Sequence, residues 1–229
     1  MGPKIYVCGD PHGEFQHLVD IVHTHRPHTL ILLGDMSCKR PLHEEMAVLD
    51  ELDVLTELYW IPGNHDSDNE TVYDNLFGSR LADRNLHGRI VDVCGFKVAG
   101  LGGVFRTKVW DPAEPSVAGP DDYLTTMGKG NRWRGGLPLK HRTTIFGGEV
   151  SRFLKGNLRA DVLVTHEAPA ANPSGFQVIG DVADALRVSA AFHGHHHKDI
   201  DYAGTVWYGV GLRGVMSLGG EVVVPGIYG

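Results

Sequence analysis

Acids, amides and imidazoles stand at five places where an apolar run gives out. Asp10-Pro11-His12 follows "KIYVC", Gly34-Asp35 follows "TLILL", and Gly63-Asn64-His65-Asp66 follows "ELYWIP". Thr165-His166 closes "DVLVT", and "SAAFHG" leads into His195-His196-His197. Any one of these alone reads as a turn with an acid to cap its backbone. Together they supply oxygen and imidazole donors without thiolate, a mixture that suits Mn, Fe, Zn, Co or Ni better than a structural cysteine-type zinc site. About six or seven such groups exceed what one tetrahedral ion takes. The simplest arrangement is two ions sharing a bridging carboxylate, about 3.5–4 Å apart.

Convergence requires elements that aim these loops at one point. Short apolar runs bounded by glycine and polar breakers read as buried strands. Between the first of them lie expected helices at 14–25, with Phe15, Leu18, Val19 and Val22 apolar, and at about 41–53, opened by Pro41. Strand–helix alternation of this kind argues for an α/β layered fold, in which groups beyond the carboxyl ends of the strands converge. "RIVDV" and "FKVAGLGGV" read as paired strands joined at Cys94-Gly95, and "TVWYGVG" and "EVVVPGIYG" as closing strands. Residues 105–145, rich in Gly, Pro, Trp and Arg, lack periodicity and read as an accessory lid or substrate loop. With no linker in sight, residues 1–229 are expected to form one domain.

The 229 residues are 42% hydrophobic and carry a net charge of −7, which argues against a general nucleic-acid coat protein. Three cysteines without metal-binding spacing make a disulfide framework unexpected and suit a reducing cytoplasm. No secretory signal and no run of about eighteen apolar residues is evident, so no membrane segment is expected.

The ordered set D-x-H, G-D, G-N-H-D, T-H and G-H-x-H resembles the calcineurin-like metallophosphoesterase superfamily, from residue 5 to about 200. The resemblance implies a four-layer α/β/β/α sandwich of two mixed sheets. It implies one metal held by Asp10, His12, Asp35 and His197, and a second held by Asp35, Asn64, His166 and His195. His65 would then be a phosphate-facing acid or hydrogen-bond donor, and Asp66 would orient it. The cofactors implied are two divalent or trivalent ions, Mn, Fe or Zn foremost. Such a pair neutralises phosphoryl oxygens and lowers the pKa of a bridging water, so hydroxide is available near neutral pH. No G-x-S-x-G elbow is present to suggest a covalent route.

Two basic clusters are the candidate substrate contacts. In the protein-phosphatase branch the second block reads G-D-x-V-D-R-G; here it is "GDMSCKRP", with Lys39 at the arginine position and Arg40 one place on. A lysine is a point charge and not a planar fork, which weakens a Ser/Thr phosphatase assignment. "THEAP" looks instead like the T-H-x-P-P block of phosphodiesterase-like members, with Glu167 a departure. Residues 129–142 hold five basic residues and no acid, with Asn131, Arg132 and Arg134 the preferred contacts and Trp133 available for stacking. The expected activity is phosphoester hydrolysis, phosphodiesters first. The alternatives are a Ser/Thr phosphatase-like monoesterase, a nuclease using 129–142 as its track, and a non-catalytic scaffold.

Overall fold

Ile5–Cys8 (β1) and Thr29–Leu32 (β2) are buried along their whole length because each is covered on both faces. The computed structural model describes residues 2–47, 56–112 and 118–229. Between these strands Gln16–His25 (α1) crosses over, and Leu42–Glu45 (α2) precedes Glu57–Trp60 (β3). Residues 48–53 of the helix expected at about 41–53 lie outside the described residues. Then come Glu70–Phe77 (α3), the hairpin Arg89–Val93 (β4) and Phe96–Leu101 (β5), Pro120–Thr126 (α4) and Gly147–Lys155 (α5). Val162–Thr165 (β6), Gln177–Leu186 (α6) and Ala190–His193 (β7) follow. The chain closes with Ile200–Asp201 (β8), Trp207–Gly209 (β9), Val215–Ser217 (β10) and Val222–Val224 (β11).

The strands form two mixed sheets, of order β11-β10-β1-β2-β3 and β4-β5-β6-β7-β9-β8. In the first, β1, β2 and β3 are parallel and β10 joins β1 antiparallel. In the second, β5, β6, β7 and β9 are parallel. Alternate side chains go to opposite faces of a strand, and that rule sorts the core into layers. Ile5, Val7, Ile31 and Leu33 meet Val98, Val162, Val164 and Phe192 between the sheets. Tyr6, Cys8, Leu30 and Leu32 face outward onto Leu18, Ile21 and Val22 of α1. On the far side Ala99, Leu163 and Ala191 meet Val150 and Phe153 of α5 and Ile179, Val182 and Leu186 of α6. Helices, sheet, sheet and helices are thus stacked in the expected four layers.

The hairpin turns at Cys94 and Gly95, both at positive φ (52° and 89°), as a tight two-residue connection between twisted strands requires. The 105–145 stretch carries more structure than its sequence advertises: α4 and two 3-10 turns, at Lys129–Asn131 and Leu139–His141. Val109, Leu137 and Phe146 close a small apolar cluster under it. The cysteines Cys8, Cys38 and Cys94 are free. Among the described residues no helix is long and apolar enough to cross a membrane.

Candidate metal centre

All five polar loops leave the carboxyl ends of parallel strands. Asp10 follows β1, Asp35 follows β2, Asn64 follows β3, His166 follows β6 and His195 follows β7. Because the two sheets face each other, the loops meet. His12, Asp35 and His197 bring one ligand atom each within 4.8 Å of one another, and Asp35, His166 and His195 do the same. The Asp35 carboxylate belongs to both groups.

Hydrogen bonds fix which atoms face inward. His166 Nδ1 donates to the Leu33 carbonyl at 2.7 Å, which turns its Nε2 toward Asn64 Oδ1 at 3.2 Å and Asp35 Oδ2 at 3.5 Å. Asp35 Oδ1 accepts from the His65 backbone N–H, and Asp10 Oδ2 from that of His195, both at 2.8 Å. His12 Nε2 and His197 Nε2 confront each other at 3.2 Å. Asp10 Oδ2 lies 3.6 Å from His197 Nε2. Asp10 Oδ1, fully buried, has no hydrogen-bond partner among the described residues. Imidazole nitrogens and carboxylate oxygens crowded together, with a buried carboxylate oxygen left orphaned, are what a donor set arranged for cations presents. The residues fit metal ions.

The backbone is bent to make this arrangement. His12, Asp35, His195 and His197 all have φ between 45° and 68°, the left-handed region that costs a non-glycine residue about 1 kcal/mol or more. Glycine is needed where loops touch: a Cβ on Gly63 would collide with Asp35 Oδ1, and one on Gly194 with Asp10 Oδ1.

Electrostatics follow from enclosing acids. Burial pushes Asp10 up to about 7, with Asp35 adding to it against the pull of His166. Burial works in the same direction on Asp35, yet the adjoining His166 imidazole and the His65 N–H hold it below the usual carboxylate range. Burial drives His195 down to about 3, with His166 contributing.

The orienting pair differs from the expected one. His65 Nδ1 is bonded to Asp68 Oδ2 at 2.6 Å, whereas the fully buried Asp66 accepts from the backbone N–H groups of Ser37 and Gly63, at 3.0 and 2.8 Å. This pairing has a helical cause. The 3-10 turn His65–Ser67 eclipses residues three apart, so Asp68 and not Asp66 shares the imidazole's side. Partial burial lowers the His65 pKa, but Asp68 and the nearby Asp35 outweigh it and raise it overall.

The basic candidates are engaged elsewhere. Lys39 pairs with Glu14 at 3.0 Å and Arg40 with Glu45 at 3.1 Å, although Lys39 lies alongside Gly13, next to His12. Arg134 grips Asp74 of α3 with two bonds of 2.7 and 2.9 Å, and Arg132 donates to the Leu124 carbonyl. Asn131 ends an exposed 3-10 turn. Trp133 donates to Glu70 at 2.7 Å, and its ring is covered by Arg134 and Arg142 at 4.2 and 5.2 Å. None of these is bonded to a candidate ligand among the described residues.

Glu167, read from sequence as a departure beside a ligand, is buried, pushed up to about 7 by that burial, and accepts from the Phe105 N–H at 3.0 Å. His193 donates from Nδ1 to the Gly194 carbonyl at 2.8 Å and accepts from the Tyr202 hydroxyl at 2.9 Å. That bond braces the loop carrying His195.

Two mixed sheets whose facing loops gather these carboxylates and imidazoles define a metallophosphoesterase. The chain belongs to the calcineurin-like phosphoesterase family, whose model matches residues 3–199, and it is accordingly a metal-dependent hydrolase acting on phosphate esters. It is 40% identical over 218 residues to an uncharacterised protein of Haemophilus influenzae, covering 93% of this chain and 92% of that one. Its fold is similar to the crystal structure of TT1561 of Thermus thermophilus, with a TM-score of 0.63 at 13% identity and 99% of each chain covered. A second solved structure matches with a TM-score of 0.56 at 14% identity, again over 99% of each chain.

Proposed function

We propose that this chain hydrolyses phosphodiesters in preference to monoesters, at a two-metal centre. Asp10, His12, Asp35 and His197 would hold one ion, and Asp35, Asn64, His166 and His195 the other. The observation that carries this reading is the shared Asp35, a member of both close-set donor groups. Mn, Fe or Zn would suit the donor set. When bound, such ions supply Lewis acidity to phosphoryl oxygens and to water.

The chain's own residues do the rest. His65, turned by Asp68 and raised above its ordinary pKa, keeps a proton on Nε2 to give to the departing oxygen. Its ring lies 5.4 Å from that of His12, at the edge of the donor cluster. Asp66 ties the Asp35 loop to the Asn64 loop through Ser37 and Gly63. Residues 1–229 act as one domain, with 105–145 as the lid. Diester preference is supported by what surrounds Asp35. Lys39 and Arg40 are each paired with a glutamate, so neither is free to balance the extra charge of a monoester dianion.

Protein reconstituted with Mn, Fe or Zn should carry two ions per chain by elemental analysis. It should hydrolyse a bis-aryl phosphodiester with higher kcat/KM than the aryl monoester or a phosphopeptide. One ion per chain, or no turnover of any ester, would sink the proposal.

A further inference from the structure

Arg106 enters the lid immediately after "GLGGVF" and is held from both sides by loops that carry candidate ligands. The backbone N–H of Phe105, its neighbour, donates to Glu167, the residue after His166. Its own Nη2 donates to Thr143 Oγ1 at 3.3 Å, and that hydroxyl is hydrogen-bonded at 2.8 Å to Ser67 Oγ, two residues after His65. The Phe105-Arg106 segment is therefore tied to the His166 loop through the Phe105 N–H and, through the guanidinium and Thr143, to the His65 loop, both of which border the metal centre.

What sets it apart is what it lacks. Among the described residues only Arg40, Arg84 and Arg134 pair with carboxylates, so Arg106 shares the lack of an ion pair with most arginines of the chain; its distinction is a buried donor left unused. Its Nε is buried without a hydrogen-bond partner. Burial lowers its pKa, and Asp68, Glu167 and Asp35 raise it, so the acids around the centre are those whose fields reach it. A half-buried guanidinium with unused donors beside a cation-binding cluster is suited to a planar oxyanion contact.

We infer that Arg106 is the lid's phosphate contact, donating to a non-bridging phosphoryl oxygen of the bound ester. This rests on the phosphoesterase reading above and names the residue by which the lid, rather than Lys39 or Arg134, would meet the substrate.

Inorganic phosphate, the group common to all products, is the probe. Calorimetric titration of phosphate into the metal-loaded protein should show a Kd about 10- to 100-fold weaker in Arg106→Ala than in wild type. Metal content and circular dichroism should be unchanged. Added guanidinium ion should restore part of the binding, which a merely structural role would not allow. Should Arg106→Ala fold poorly, Arg106→Gln keeps a donor for Thr143 and carries the same test. Equal phosphate affinity in wild type and variant overturns this inference and leaves ester hydrolysis standing; no phosphate binding by the loaded wild type overturns both.

Discussion

The imidazole of His65 is bonded to Asp68, three residues on, while Asp66 beside it in sequence faces two backbone amides on the other side. His65→Ala should keep its metal and lose about 10²–10⁴-fold in kcat. Asp68→Asn should have a milder defect with a diagnostic pH profile. Activity that needs a protonated His65 fails as pH rises through its pKa. Removing Asp68 lowers that pKa, so the alkaline limb of kcat moves to lower pH. An unmoved limb in Asp68→Asn would detach the pair from the reaction.

Asp35 is common to both donor groups, and Asp10 and Asn64 are not. Asp35→Ala should therefore lose both ions, whereas Asn64→Ala should lose chiefly one, read as metal per chain after dialysis. Chelation of the wild type should lower Tm, since ions that bind only the folded chain stabilise it by mass action. A Tm indifferent to chelator contradicts this.

Gly63 leaves no room for a side chain against Asp35. Gly63→Ala should cost about 1–3 kcal/mol of stability and weaken metal retention together, because relief of the clash displaces the shared carboxylate. Denaturant titration with parallel metal analysis checks both. Loss of stability with metal binding intact would place the strain elsewhere.

His17, in α1, has a buried Nε2 without a partner among the described residues, and burial, aided by Arg213, pushes it down to about 4 from 6.5. Between those values the unfolded chain takes up a proton that the folded chain refuses. Stability is thus full above pH 6.5 and declines as pH falls toward 4. His17→Leu should flatten that slope by about 2 kcal/mol relative to wild type. Parallel acid limbs in the two proteins would refute it.

Arg134 and Trp133 bind the 129–142 run to α3 through Asp74 and Glu70. Arg134→Glu should open this stretch to limited proteolysis while leaving small-ester kcat/KM within about twofold, since exposed pairs contribute little. Selective loss of nucleic-acid hydrolysis would instead make the run a nucleic-acid track.

The layered fold was legible because its strands are covered on both faces and end abruptly in glycine and polar residues. "KIYVC" and "TLILL" announce burial and turning point alike. The loops that meet at Asp35 were legible for the same reason, each following a strand end. What escaped was set by three-dimensional detail. Asp68 is brought to His65 by the pitch of one 3-10 turn, and only an i, i+3 reading of "HDSD" hints at it. Arg106 is marked out by a buried Nε without a hydrogen-bond partner, which no spacing encodes. β10, paired with β1 from about two hundred residues away, has too few residues to show a period of its own. Within the basic run, the acids that engage Arg134 and Trp133 come from α3, remote in sequence.

The left-handed backbone at His12, Asp35, His195 and His197 bears on the order of events during folding. Four residues outside their favoured basin cannot wait in place on an unstructured chain; strands on either side must first press them there. Ion capture should therefore come late, with cobalt absorption developing only after sheet dichroism is complete, and the cation acting as a latch on a finished frame rather than a seed for it.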